Sequence, residues 1–209
     1  MTRTITVRGR GFAPARPTEV FVSFESAAVR PTAAEAFAEA GKRHAGLDAL
    51  CEELGIDESR RTTTGTSVYE FRERMEDPVA WRASYSTVVH LEDAELAGRL
   101  LREAVEKVEA RVGGGPWWRV RADDPARLAA CRLAAADAER RAAVYADALG
   151  LRRGKVVGAV EAGASDLGRE GRREPATFSA LDMSEPELRP GTAEVAAAVD
   201  VAFELEERA

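Results

Sequence analysis

Apolar positions recur at two different periods along this chain, and the switches between them predict most of its elements. Residues 5–11 alternate as a short strand, and the segment 12–17, with Pro14 and Pro17, predicts a turn. The next strand runs to Val29 and sets Val20, Val22 and Phe24 on one face at period two. Pro31 ends it. Thr32, with Glu35 three residues on, forms a capping-box pattern that opens a helix, whose inward stripe reads Phe37, Ala40, Leu47, Cys51 and Leu54. Gly55-Ile56 closes that helix, because glycine takes the left-handed conformation cheaply and the following apolar residue folds back. Residues 62–71 and 81–91 are rich in β-branched and aromatic positions and predict two strands joined by a charged turn over 72–78.

Asp93 opens a second helix with the stripe Leu96, Leu100, Ala104, Val108 and Val112, which the glycines at 113–115 and Pro116 stop before a short strand over 117–121. Asp124 caps a third helix, and Pro125 fits its first turn, where the missing N–H costs nothing. Its seam reads Leu128, Cys131, Ala135, Ala138, Ala142, Tyr145 and Leu149, and Gly150-Leu151 ends it. Small residues at the seam's centre allow a sheet to approach closely. A strand over 156–161, a long flexible polar loop over 162–190 and a final strand over 194–205 complete the chain. That last strand faces Val195, Ala197, Val199, Val201, Phe203 and Leu205 one way. A strand with that many inward positions is inserted in a sheet, and Phe203 is expected against the third helix.

The order predicts an α+β protein of two-layer sandwiches. Residues 17–121 run β-α-β-β-α-β, the ferredoxin-like pattern. Residues 122–209 add a second α-β-β layer pair, completed by the N-terminal strand at 5–11. The expected organisation is one domain over 1–209 with these two subdomains.

Composition removes several function classes. Hydrophobic residues make up 45% of the chain, enough for a core without staples. The net charge of −6 argues against a nucleic-acid partner, and Arg169, Arg172 and Arg173 sit among glutamates as a solvated loop. No run approaches the ~18 apolar residues of a membrane helix. The polar start, without an apolar leader core, predicts cytoplasmic residence. Cys51 and Cys131 both fall on inward helix faces and are expected as buried free thiols.

Candidate chemistry is thin. His44 and His90 have no second ligand at metal spacing on their own elements, so no metal and no cofactor are expected. Gly9-Arg10-Gly11 lacks the third glycine and the following helix of a dinucleotide loop and reads as a turn between strands. Gly65-Thr66-Ser67 and Gly163-Ala164-Ser165 lack the spacing of a nucleophile elbow. Asp123-Asp124 and Glu52-Glu53 fit caps or solvated faces. Trp117-Trp118 is the most unusual pair. On a strand one ring points inward and one out, so Trp117 or Trp118 is a candidate interaction surface, with burial of the second ring under a loop as the alternative.

The ordered motifs resemble one known family. They begin with Ile5-Thr6-Val7-Arg8-Gly9-Arg10-Gly11, the strand over 20–24 and the long Ala-rich helix. Leu54-Gly55-Ile56 leads to Arg61-Thr62-Thr63-Thr64 and Ser67-Val68-Tyr69, then Tyr85-Ser86-Thr87-Val88-Val89. Ala134-Ala135-Ala136-Asp137-Ala138, Ala148-Leu149-Gly150 and Gly154-Lys155-Val156 follow, and the ending from Arg189-Pro190-Gly191 through Phe203-Glu204-Leu205 closely resembles that family's C-terminal strand. Together these are similar to the SIMPL-domain family, which includes a periplasmic immunogenic protein. The resemblance implies an α+β fold, self-association and a loose link to stress or envelope functions, with no established enzyme activity and no catalytic residues to carry over. The expectation is therefore a non-enzymatic module that forms homo-oligomers or binds a protein partner. The alternative is a small-molecule binder or enzyme with a site at the sheet surface.

Overall fold

A computed structural model describes residues 3–75, 78–162 and 187–208. Most of the expected loop, with Arg169, Arg172, Arg173 and Gly163-Ala164-Ser165, lies outside them. The chain divides into two compact units. In the described residues, one holds 18–75, 78–119 and 187–190, and the other holds 3–17, 120–162 and 191–208.

The first unit is built from β2 (Glu19–Arg30), α1 (Ala33–Glu53), β3 (Arg61–Phe71), β4 (Ala80–Leu91), α2 (Ala94–Val108) and β5 (Arg111–Arg119). Its strands form one antiparallel sheet in the order β3-β4-β2-β5, the ferredoxin-like arrangement. The period-two side of β2 buries Val20, Val22 and Phe24 completely against Leu47, Cys51 and Leu100 of the helices and Val89 of β4. Thr32 accepts a hydrogen bond from the Glu35 N–H and starts α1. At its end Gly55 has φ +72° and the Ile56 N–H reaches back to the Cys51 carbonyl at 2.8 Å, the expected glycine stop. Phe37, predicted inward, is instead exposed, and Ala36 takes the buried place. There the helix sets Ala36 and Ala40 on Ala28 and Ala83, and the Phe37 ring lies beside Tyr85 at 5.3 Å.

α2 stops earlier than expected. Glu109 adopts the left-handed conformation directly after Val108, so Val112 belongs to β5 and not to the helix. The glycines at 113–115 and Pro116 are likewise inside β5, with Gly115-Pro116 cis. They act as bulges and not as a helix stop, because β2 changes register against β5 on either side of Ser23.

The second unit has β1 (Arg3–Ala15), α3 (Pro125–Ala148), β6 (Leu151–Glu161) and β7 (Ala193–Glu207), with the three strands antiparallel in the order β1-β7-β6. β1 pairs without interruption from Arg3↔Leu205 to Ala15↔Ala193, so the expected turn at 12–17 is mostly strand. Pro14 is tolerated because β1 is an edge. β6 begins at Leu151, directly after the Gly150 turn, and not at Val156. Phe203 is fully buried against Ala138 and Ala142 of α3, as the alternation of β7 predicts.

The seam of α3 differs from expectation. Ala138 and Ala142 are buried as expected and Ala130, Ala134 and Ala146 join them, while Leu128, Cys131, Ala135, Tyr145 and Leu149 face outward. The reason lies in β1. A Cβ on Gly9 would run into the Ala134 carbonyl oxygen and sit 2.6 Å from the Ala138 nitrogen. One on Gly11 would meet the Ala130 carbonyl and lie 2.8 Å from the Leu133 Cβ. Gly9 and Gly11 are thus close-approach positions inside a strand, not a turn, and only alanine fits opposite them.

Candidate functional site

On β2 the residues between the core positions, Glu19, Phe21, Ser23 and Glu25, point to the sheet face away from the helices, as period two requires. Phe21 has a neighbour on each side. Its ring stacks on His90 of β4 at 4.4 Å and 2°, and the Arg119 guanidinium of β5 lies 4.6 Å from its centroid. Since β4 and β5 flank β2 on opposite sides, both faces of the ring are occupied. Arg119 Nε donates to Glu19 at 2.7 Å, and the other Glu19 oxygen lies 3.5 Å from His90 Nε2. Arg60 stands 3.4 Å from His90 Nδ1 and donates to Glu92 at 3.0 Å. His90 Nε2 is buried without a hydrogen bond, and burial pushes the imidazole below its ordinary pKa. The cluster is charge-balanced, and both faces of the Phe21 ring are taken.

Trp117, on the same sheet face, is 47% exposed, and its indole folds over Gly114, where a Cβ would meet the ring at 2.6 Å. Trp118, opposite Val20, packs on the core of its unit. The dipeptide therefore splits one out and one in, with Trp117 as the surface residue.

His44 occupies the other side of the sheet. Its ring stacks on Tyr85 at 5.0 Å and 7°, with Thr87 Oγ1 3.4 Å from Nδ1 and Thr63 Oγ1 3.5 Å from Nε2. Asp48, one turn further along α1, lies 3.6 Å from Nε2. Sequence reading missed this carboxylate, and the i, i+4 spacing was the signal for it. Asp48 is also held by Arg61, at 3.0 Å to its carbonyl and 3.5 Å to its carboxylate. The hydroxyl distances are at the long limit for hydrogen bonds and suit packing better than proton transfer. Among the described residues no group of three His, Cys, Asp or Glu is placed to hold a metal ion.

A shallow cleft lies at the start of β6, lined by Asp147, Leu151, Arg152, Arg153 and Arg208. Its cations are engaged: Arg152 with Glu206, Arg208 with Asp147, and Arg153 over the Phe203 ring at 5.3 Å.

The strand edges separate into guarded and open. Arg10 donates its backbone N–H to Asp137 of α3 at 3.1 Å, and Arg141, one turn on, donates to the Arg8 carbonyl. Both groups point away from β7, whose Ala198 carbonyl turns to the Ala162 N–H instead. The helix thus satisfies the middle of the β1 edge as a neighbouring strand would. β3 and β6 are end strands of their sheets, and nine of the eleven residues of β3 and eight of the eleven of β6 are exposed. On β6 these include Val156, Val157 and Val160, the last 70% exposed.

These features define an α+β protein whose exposed chemistry is strand edge and side-chain surface. The chain belongs to the SIMPL family: the family model, described as a protein of unknown function (DUF541), matches residues 5–203. No curated protein matches the chain. Among the described residues no helix is long and apolar enough to cross a membrane.

Proposed function

We propose that this protein is a non-enzymatic module that self-associates and engages protein partners through its strand edges. The observation that carries the reading is the contrast between edges. β1 is sealed by Asp137 and Arg141, whereas β3 and β6 leave their backbone groups and both faces to a partner. Unpaired edges are templates for another strand, and proteins blunt those they do not use. The clusters around His44 and His90 favour this reading over a site at the sheet surface, since their rings stack on Tyr85 and Phe21 and the charges around them stand in ion pairs. We place the module in a reducing compartment such as the cytoplasm, on the support of its two free cysteines, and a stress-related role rests on the family resemblance alone.

Size-exclusion chromatography with light scattering over a wide concentration range tests the proposal. A dimer or larger species that dissociates on dilution is expected. A chain that stays monomeric at the highest concentration overturns it.

A further inference from the structure

We infer that β3 is the edge that meets a second copy of this chain, antiparallel about a two-fold axis through Thr66. The inference rests on the self-association just proposed and adds its surface and register. Of the four sheet edges among the described residues, β1 is sealed by α3, while β5 carries Pro116 and two register shifts. β6 has two register shifts and the cations Arg152, Arg153 and Lys155. Bulges, proline and charge are the devices that discourage edge pairing. β3 has charge only at Arg61 and Glu70, near its two ends, and a middle of Thr, Ser, Gly and Val.

Its single register shift, at Thr64, is what makes the strand self-complementary. With the axis at Thr66, Gly65 faces Ser67 of the copy. Skipping the bulged Thr64 then sets Thr63 against Val68, Thr62 against Tyr69 and Arg61 against Glu70. Without the bulge the same axis would set Arg61 against Phe71. Arg61 and Glu70 lie on the same sheet face, since their β4 partners are Val89 and Trp81, an even number of residues apart. The pair forms twice by symmetry. Arg61 is held from the α1 side, its guanidinium 3.0 Å from the Asp48 carbonyl and 3.5 and 3.7 Å from the Asp48 and Glu52 carboxylates, and Glu70 of the copy adds a third carboxylate at the strand's end. Threonines and Val68 suit a paired strand, as β-branched residues do.

Thr66→Cys in a Cys131→Ser background tests the register, with Val160→Cys on β6 as the comparison. An axial residue meets its own copy within the roughly 4.4–6.8 Å Cα separation a disulfide allows. Mild oxidation should give a disulfide-linked dimer of the full chain from Thr66→Cys and little from Val160→Cys. The second variant, Glu70→Arg, sets like charges opposite each other twice and should weaken the dimer about fivefold or more. Cross-linking through Val160→Cys alone, or a dimer indifferent to Glu70→Arg, overturns the β3 assignment while self-association stands. A chain that is monomeric throughout overturns both.

Discussion

Asp137 accepts the backbone N–H of Arg10 at 3.1 Å, so a helix side chain does the work of a neighbouring strand. Replacing Asp137 and Arg141 together by alanine should unseal β1. The Arg10 amide should exchange hydrogen faster, and the variant should scatter light at lower temperature on heating. The direct loss of stability should be about 1–3 kcal/mol, the worth of two ordinary hydrogen bonds. Unchanged exchange at Arg10 would show that the edge is protected by something else.

The approach of α3 to β1 leaves no space for a methyl group. Gly11→Ala should therefore destabilise the protein by roughly 3 kcal/mol, the upper range for overpacking. Gly65→Ala is the control, because a Cβ there meets nothing within 4 Å. Its effect should stay within about 0.5 kcal/mol. Denaturant midpoints of the two variants decide the matter, and equal shifts would contradict the close contact.

The two thiols should behave differently. Cys131 is exposed and should alkylate in the native protein. Cys51 is fully buried, and burial pushes its thiol up to about 11, so it should react only once the chain unfolds. Native labelling followed by peptide mapping reads both sites at once.

His90 should impose a pH dependence on stability. Burial holds its folded pKa below the ordinary imidazole value of about 6.5, against the pull of Glu19 and Glu92 and with the push of Arg60 and Arg119. Below that ordinary value the unfolded chain binds the extra proton first, so stability falls as pH falls from there through the folded pKa. His90→Gln should flatten this part of the profile. The carboxyls of Asp200 and Glu103, held low by Arg8 and Lys107, should still cost stability at more acidic pH in both proteins.

Phe203→Ala should cost roughly 3–5 kcal/mol, as for other fully buried rings. Truncation before Glu194 removes the central strand of its sheet and should yield aggregate. A soluble truncated chain with an unchanged melting temperature would show that β7 is dispensable.

Strands and caps were the legible part of the sequence. Asp93, Asp124 and Gly55 act through neighbours a few residues away, and each stands where its local pattern puts it. The buried face of α3 was legible only at Ala138 and Ala142, because the rest is decided by Gly9 and Gly11, more than a hundred residues earlier. Hydrophobic size pointed to Leu128 and Leu149, but the available space selects Ala130 and Ala134 beside the expected Ala138 and Ala142. The cluster around Phe21 and His90 was hidden for a similar reason: its members come from separate strands and meet only through sheet order. Trp117 and Trp118 were readable as a pair, since strand alternation is local.

The alanine seam also bears on how this protein tolerates change. In most helices the large apolar residues are the guarded ones, and small residues drift freely. On α3 the ranking is reversed: Leu128, Leu133 and Val144 face outward and are free to become polar, while each alanine opposite the glycines has no larger substitute. A saturation scan of this helix should therefore find its sharpest intolerance at the chemically plainest positions.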